Sequence, residues 1–183
     1  MAVSSDSRSE PKKQDNAKQL DDFTLSFLVV IERGNRFGWL LRAQPPYSTE
    51  GLRAYSFSLT IDDSKPARLF IAGKILPGGE NLDASPDGEV RIEDFEQRTD
   101  ALQVEAVVTG SKFKYTFTRQ ALETAVGPRS SSPGFARPIP PVTLADRNQT
   151  YHHGTVGLLG VEKPGGAIHI ESIHVKPSWK WFF

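Results

Sequence analysis

Trp39, Arg42, Gln44 and Tyr55 combine two flat rings with two planar hydrogen-bonding groups within seventeen consecutive residues of the chain. Rings pack against the C–H faces of sugars, and amide or guanidinium planes bind pairs of hydroxyls, so this set suits carbohydrate recognition if neighbouring strands bring it to one surface. The alternative is that Trp39 and Tyr55 are core aromatics and Arg42 a structural charge. All four histidines, His152, His153, His169 and His174, fall in the last quarter, and imidazole is the commonest transition-metal ligand. Adjacent His152 and His153 diverge on an extended backbone, while His169 and His174 alternate with isoleucines and are predicted to point outward. His152 and His153 are thus weak metal candidates against a simpler reading as surface imidazoles, and no cofactor is expected. The acidic cluster Glu89, Glu93, Asp94 and Glu96 reads as a solvated strand end, and Asp62-Asp63 as a turn. With no cysteine there is neither a thiol nucleophile nor a thiolate metal site. The chain contains no Gly-x-Ser-x-Gly elbow, phosphate-binding glycine loop or zincin motif.

The elements that must position these residues alternate with period two. Phe23, Leu25, Phe27, Val29 and Ile31 recur at every second position, as on a half-buried strand. Gly34-Asn35 turns the chain, Phe37 to Ala43 reads as a second strand, and Pro45-Pro46 stops it. Tyr55, Phe57, Leu59 and Ile61 form a third. Ala67 to Ala72 and Glu89 to Ile92 are shorter strands separated by a loop from Pro77 to Gly88. Leu102 to Val108 and Phe113 to Phe117 make a hairpin around Gly110-Ser111, its rings inside and Lys112 and Lys114 outside. Arg119 to Val126 suits one short helix, stopped by Gly127-Pro128 and followed by a loop through Pro141. Thr155 to Val161 and Ala167 to Val175 close the pattern. Ile168 and Ile170 differ in parity from Ile173 and Val175, which predicts a β-bulge near Glu171-Ser172 if all four share one face. About nine strands with almost no helical period imply a sandwich or a barrel.

The chain has 183 residues, 22 basic and 22 acidic, so no net field favours nucleic acid. The run from Phe23 to Ile31 is too short to span a bilayer or act as an export signal, so the expected location is cytoplasmic. Residues 1–21 hold little to bury and read as a disordered leader.

The blocks Asp22-Phe23-Thr24-Leu25-Ser26-Phe27, Asn35-Arg36-Phe37-Gly38-Trp39-Leu40-Leu41-Arg42-Ala43-Gln44 and Tyr55-Ser56-Phe57 resemble the concanavalin A-like lectin/glucanase superfamily, particularly its laminin-G-like and 3-keto-disaccharide-hydrolase-type domains. The hairpin from Leu102 to Phe117, Gly154-Thr155-Val156-Gly157-Leu158 and Ile168 to Val175 resemble their later strands in the same order. This resemblance implies an all-β, antiparallel, jelly-roll-like sandwich over residues 22–176. It also implies a Glu-x-Asp-x-x-Glu-like strand in the glucanases, whose two carboxylates must lie about 5–5.5 Å apart; no segment here matches it. Two departures stand out. The strand pair that precedes the matched region in the hydrolase-type group is replaced by the polar leader, leaving an open edge, and residues 119–150 form an insertion, either a lid or disordered.

The tail, residues 177–183, carries Trp179, Trp181, Phe182 and Phe183, too much aromatic surface to leave in water. It is expected to bind the open edge, a second copy or another protein chain. Together these features predict a noncatalytic recognition module with carbohydrate as ligand. The alternatives are a 3-keto-disaccharide hydrolase or a protein-interaction domain of a larger assembly.

Overall fold

A computed structural model describes residues 20–45, 47, 51–62, 67–85, 89–92, 100–121, 141–161 and 166–178. Most of the expected leader, Glu93, Asp94 and Glu96 of the acidic cluster, most of the insertion and the four tail aromatics lie outside them. The described residues form two antiparallel sheets packed as a sandwich, with no helix.

In chain order the strands are β1 (Phe23–Arg33), β2 (Arg36–Gln44), β3 (Arg53–Asp62), β4 (Ala67–Leu76), β5 (Glu80–Asn81), β6 (Asp83–Ser85), β7 (Glu89–Ile92), β8 (Asp100–Thr109), β9 (Lys112–Ala121), β10 (Val142–Ala145), β11 (Thr155–Val161) and β12 (Ala167–Pro177). One sheet runs β12-β1-β8-β9-β10-β6; the other runs β11-β2-β3-β4-β5, with β7 also pairing β4. Edge strands β11 and β12 therefore border the same side of the sandwich.

Period-two burial holds through the centre. Phe23, Leu25, Phe27, Val29 and Ile31 of β1 face Phe37, Trp39 and Leu41 of β2 and Tyr55, Phe57 and Leu59 of β3, all within one core. Trp39 packs against Phe27 at 5.6 Å, Phe57 at 6.0 Å and Tyr115 at 5.7 Å between ring centres. Each such side chain contributes about 1.5–3 kcal/mol by leaving water, and that non-directional gain selects the sandwich over any arrangement exposing this row. The hairpin of β8 and β9 behaves as its alternation requires, with Phe113, Tyr115 and Phe117 buried and Lys114 exposed.

Three sequence expectations are corrected. The segment from Pro77 to Gly88 is not wholly loop: it contains β5 and β6, the latter pairing with β10. The insertion contains β10, whose Val142 and Leu144 are core residues, so this part is neither lid nor disordered segment. Arg119, placed in a helix, lies in β9 opposite Leu102, where its guanidinium pairs at 2.8 Å with the buried carboxylate of Asp100. Cross-strand pairing and a buried ion partner override helix propensity over those few residues.

At the expected bulge, Phe27 of β1 faces two residues of β12, Ser172 and Ile173, between the pairs Ser26–His174 and Leu28–Glu171. Ser172 takes a positive φ of 54°. The bulge restores parity, but burial stops short: Ile168 and Ile170 pack partly against the core, while Ile173 and Val175 remain exposed. An edge strand has a neighbour on one flank only, so its outermost side chains are covered incompletely. No helix among the described residues is long and apolar enough to cross a membrane.

Candidate functional site

Arg42 occupies a second bulge. Leu41 pairs with Tyr55 and Gln44 with Arg53, so Arg42 and Ala43 together face Ala54 alone. The positive φ of 54° at Arg42 turns its side chain toward one end of the sandwich, where it is only 2% exposed. Its guanidinium donates to the carbonyls of Gly110 at 2.6 Å, Tyr151 at 2.8 Å and Asp21 at 2.7 Å. A weaker contact of 3.4 Å reaches Asp22 Oδ1, which accepts the Gly110 N–H at 2.9 Å. Burial lowers the Arg42 pKa, and Tyr55, Asp22 and Asp21 oppose that shift. The planar fork thus ties the chain entering β1, the β8–β9 turn and the segment before β11 to one point.

Tyr55 anchors the same segment from the core. Its hydroxyl donates to Asp146 Oδ2 at 2.8 Å and accepts the Tyr151 N–H at 2.9 Å. Asp146 also accepts the N–H groups of Asn148 at 2.9 Å and Thr150 at 2.6 Å, closing a side-chain-capped turn. The Tyr151 hydroxyl donates to the Leu76 carbonyl, and Gly154 exchanges two backbone bonds with Leu20. Leu20 also packs partly against the core, so the expected leader boundary at residue 21 is corrected: Leu20 and Asp21 already belong to the folded unit.

What this frame holds is a cleft of about 390 Å³, lined by Asp21, Asp22, Arg42, Gln149, His152 and His153. Asp21, Gln149, His152 and His153 are exposed, while Asp22 and Arg42 form the floor. Gln149 itself has a positive φ of 49°. The cleft therefore offers carboxylate, amide and imidazole groups on a backbone pinned from below.

The four residues expected to form a sugar-binding patch are not brought together on a surface. Trp39 and Tyr55 are 0% exposed, and the Trp39 indole N–H donates to the Tyr115 hydroxyl at 3.2 Å. Neither ring presents a face to a ligand, because the rows Phe37-Trp39-Leu41 and Tyr55-Phe57-Leu59 point inward together. Arg42 reaches the cleft only as its floor. Gln44 lies beside it, donating to the His153 carbonyl at 3.3 Å. His152 and His153 both line the cleft, yet no group of three or more His, Asp or Glu suited to a metal ion occurs among the described residues. His169 and His174 are exposed as expected, His169 Nε2 lying 2.9 Å from Glu171. No protein-family model matches the chain, and no curated protein matches it.

Sequence reasoning missed Gln149 and Asp146. The signal available was Asp146-Arg147-Asn148, a turn-forming run whose first carboxylate can cap the backbone two residues on.

Burial pushes the Asp146 carboxyl upward, but the Thr150 N–H, the Tyr55 hydroxyl and the Asn148 N–H outweigh it and leave its pKa below the ordinary 3.8. A carboxyl depressed in the folded state stabilises fully above its unfolded pKa, and that contribution is lost as pH falls through the folded value. The stability gap between the wild type and Asp146→Asn is accordingly expected to be constant near neutrality and to narrow once pH drops below about 4. Urea unfolding at a series of pH values measures it; a gap that widens in acid contradicts this assignment.

Proposed function

We propose that the chain is a noncatalytic recognition module whose ligand is a carbohydrate, bound at the cleft between the entrance to β1 and the 146–154 segment. The observation that carries this reading is the cleft's construction: exposed planar hydrogen-bonding groups, Gln149 with His152 and His153, on a backbone fixed by Arg42 and Tyr55. Hydroxyl-rich ligands are selected by such preset donors and acceptors, because the ordering cost is met in folding rather than in binding. The resemblance of the strand blocks to the concanavalin A-like superfamily supports the same ligand class. Tyr55 enters this reading as a support beneath the site through its bonds to Tyr151 and Asp146, and Trp39 has no part in it.

The test is titration calorimetry with ligands identified on a glycan array. Gln149→Ala is expected to weaken binding about tenfold, the loss of one or two hydrogen bonds, with an unchanged melting temperature. Absence of any glycan ligand, or binding indifferent to Gln149 and His152, overturns the proposal. Release of products from 3-keto-disaccharides would replace it with the hydrolase reading.

A further inference from the structure

The charged groups of the cleft differ in what they can offer a ligand. A guanidinium has five N–H donors, and those of Arg42 are all taken inside the protein. Nε and one Nη2 hydrogen go to the Asp21 carbonyl at 3.2 and 2.7 Å, and the other Nη2 hydrogen to Asp22 Oδ1 at 3.4 Å. The two Nη1 hydrogens go to the carbonyls of Gly110 and Tyr151 at 2.6 and 2.8 Å. The Arg42 charge is set against the Asp22 carboxylate, and both groups are buried. An anionic ligand would thus find no donor left on this guanidinium, and among the described residues no lysine or second arginine lines the cleft. Asp21 is the opposite case. Arg42 grips its carbonyl and the preceding Leu20 pairs with Gly154, so its backbone is fixed, while its side chain is exposed on the cleft wall. Among the described residues none donates a hydrogen bond to its carboxylate.

With Asp22 answered by Arg42, the negative charge of Asp21 is what the cleft turns toward a ligand. We infer that the cleft selects amino sugars over acidic ones: the ammonium of the sugar sits against the Asp21 carboxylate, while Gln149, His152 and His153 take its hydroxyls. This inference rests on the carbohydrate reading above and adds to it the charge of the ligand. An ionised carboxylate only accepts hydrogen bonds and an ammonium only donates them, so the pair is matched in bonding as well as in charge. A uronic acid or sulfated sugar would bring a like charge against Asp21, and like charges brought together suppress the wrong partner. Because folding fixes the Asp21 backbone, binding has only the short side chain left to order.

The probes are oligosaccharides of several backbones, each in three matched forms: the parent, a primary amine in place of one hydroxyl, and a sulfate on that same hydroxyl. At about pH 8 an ordinary imidazole is neutral and an aliphatic ammonium remains charged, so Asp21 is the group that should tell the three apart. At low ionic strength the amine form is expected to bind about three- to fivefold more tightly than the parent, and the sulfated form more weakly by a similar factor. Both differences should shrink toward nothing in about 1 M salt. Asp21→Asn keeps the carbonyl that Arg42 holds and removes the charge, so it should bind all three forms alike with an unchanged melting temperature. Asp21→Glu should retain the preference. Binding of the parent with no gain from the amine, tighter binding of the sulfated form, or a preference that survives Asp21→Asn overturns this inference and leaves the carbohydrate reading standing. Failure of every form of every backbone to bind overturns both.

Discussion

Replacing Arg42 with methionine is expected to lower the unfolding free energy by about 3–5 kcal/mol, the loss seen when one member of a buried ionic cluster is removed. Methionine fills much of the same volume, so the cost falls on what the guanidinium leaves behind: the carbonyls of Asp21, Gly110 and Tyr151 and the buried carboxylate of Asp22. A buried polar group stripped of its partner costs about 1–3 kcal/mol. The positive φ at Arg42 carries strain of about 1–3 kcal/mol that methionine on the same backbone would share, so it cancels in the difference and shows only how firmly the surrounding contacts hold this turn. Arg42→Lys retains the charge but not the planar fork, and one ammonium cannot serve acceptors spread over three segments. Its loss should be intermediate. Guanidinium unfolding of the three proteins checks the order, with amide exchange at Gly110 and Tyr151 reporting where protection is lost. A loss below about 1 kcal/mol for methionine would mean that water replaces the guanidinium at little cost.

Those bonds also mark where a reading of the sequence runs out. Alternation from Phe23 to Ile31, from Tyr55 to Ile61 and along the β8–β9 hairpin identifies the core because burial acts on every second side chain regardless of partner. The same alternation was enough to move Trp39 and Tyr55 from the expected sugar patch into the core, since each shares parity with two aliphatic or aromatic neighbours. Arg42 was harder. In a regular strand, residues 39 and 42 point to opposite faces, and only the bulge at Arg42 and Ala43 redirects the guanidinium to the end of the sandwich. A bulge depends on the partner strand, so nothing in β2 alone announces it. At Ser172 the parity conflict among four aliphatic residues did announce one. The short strands β5, β6 and β10 escaped because two to four residues carry too little periodicity, and their pairing is set by distant segments. The cleft escaped for the same reason: Asp21, Gln149 and His152 are neighbours only through the bonds of Arg42 and Tyr55 to the segment between them.

Gly154→Ala is expected to remove about 3 kcal/mol or more of stability and to abolish the carbohydrate binding proposed for the cleft. Gly154 has a φ of +154°, and a Cβ added there would lie 2.3 Å from the Arg42 carbonyl carbon, 2.5 Å from its oxygen and 2.7 Å from the Ala43 oxygen. All three are backbone atoms, so no rotamer change relieves the clash; β2 or the 146–154 segment must move. Movement breaks the paired bonds between Gly154 and Leu20, and with them the position of His152 and His153 on the cleft wall. Gly51 separates the steric term from the torsional one. It too has a positive φ, +85°, but an added Cβ would meet nothing within 4 Å. Gly51→Ala should therefore cost only the left-handed backbone penalty, about 1–2 kcal/mol, and leave the proposed carbohydrate affinity unchanged. Parallel denaturation and titration of the two variants decide the matter. Equal losses would show that strain at φ alone accounts for Gly154, and that the close approach of the two backbones is not what holds the cleft in place.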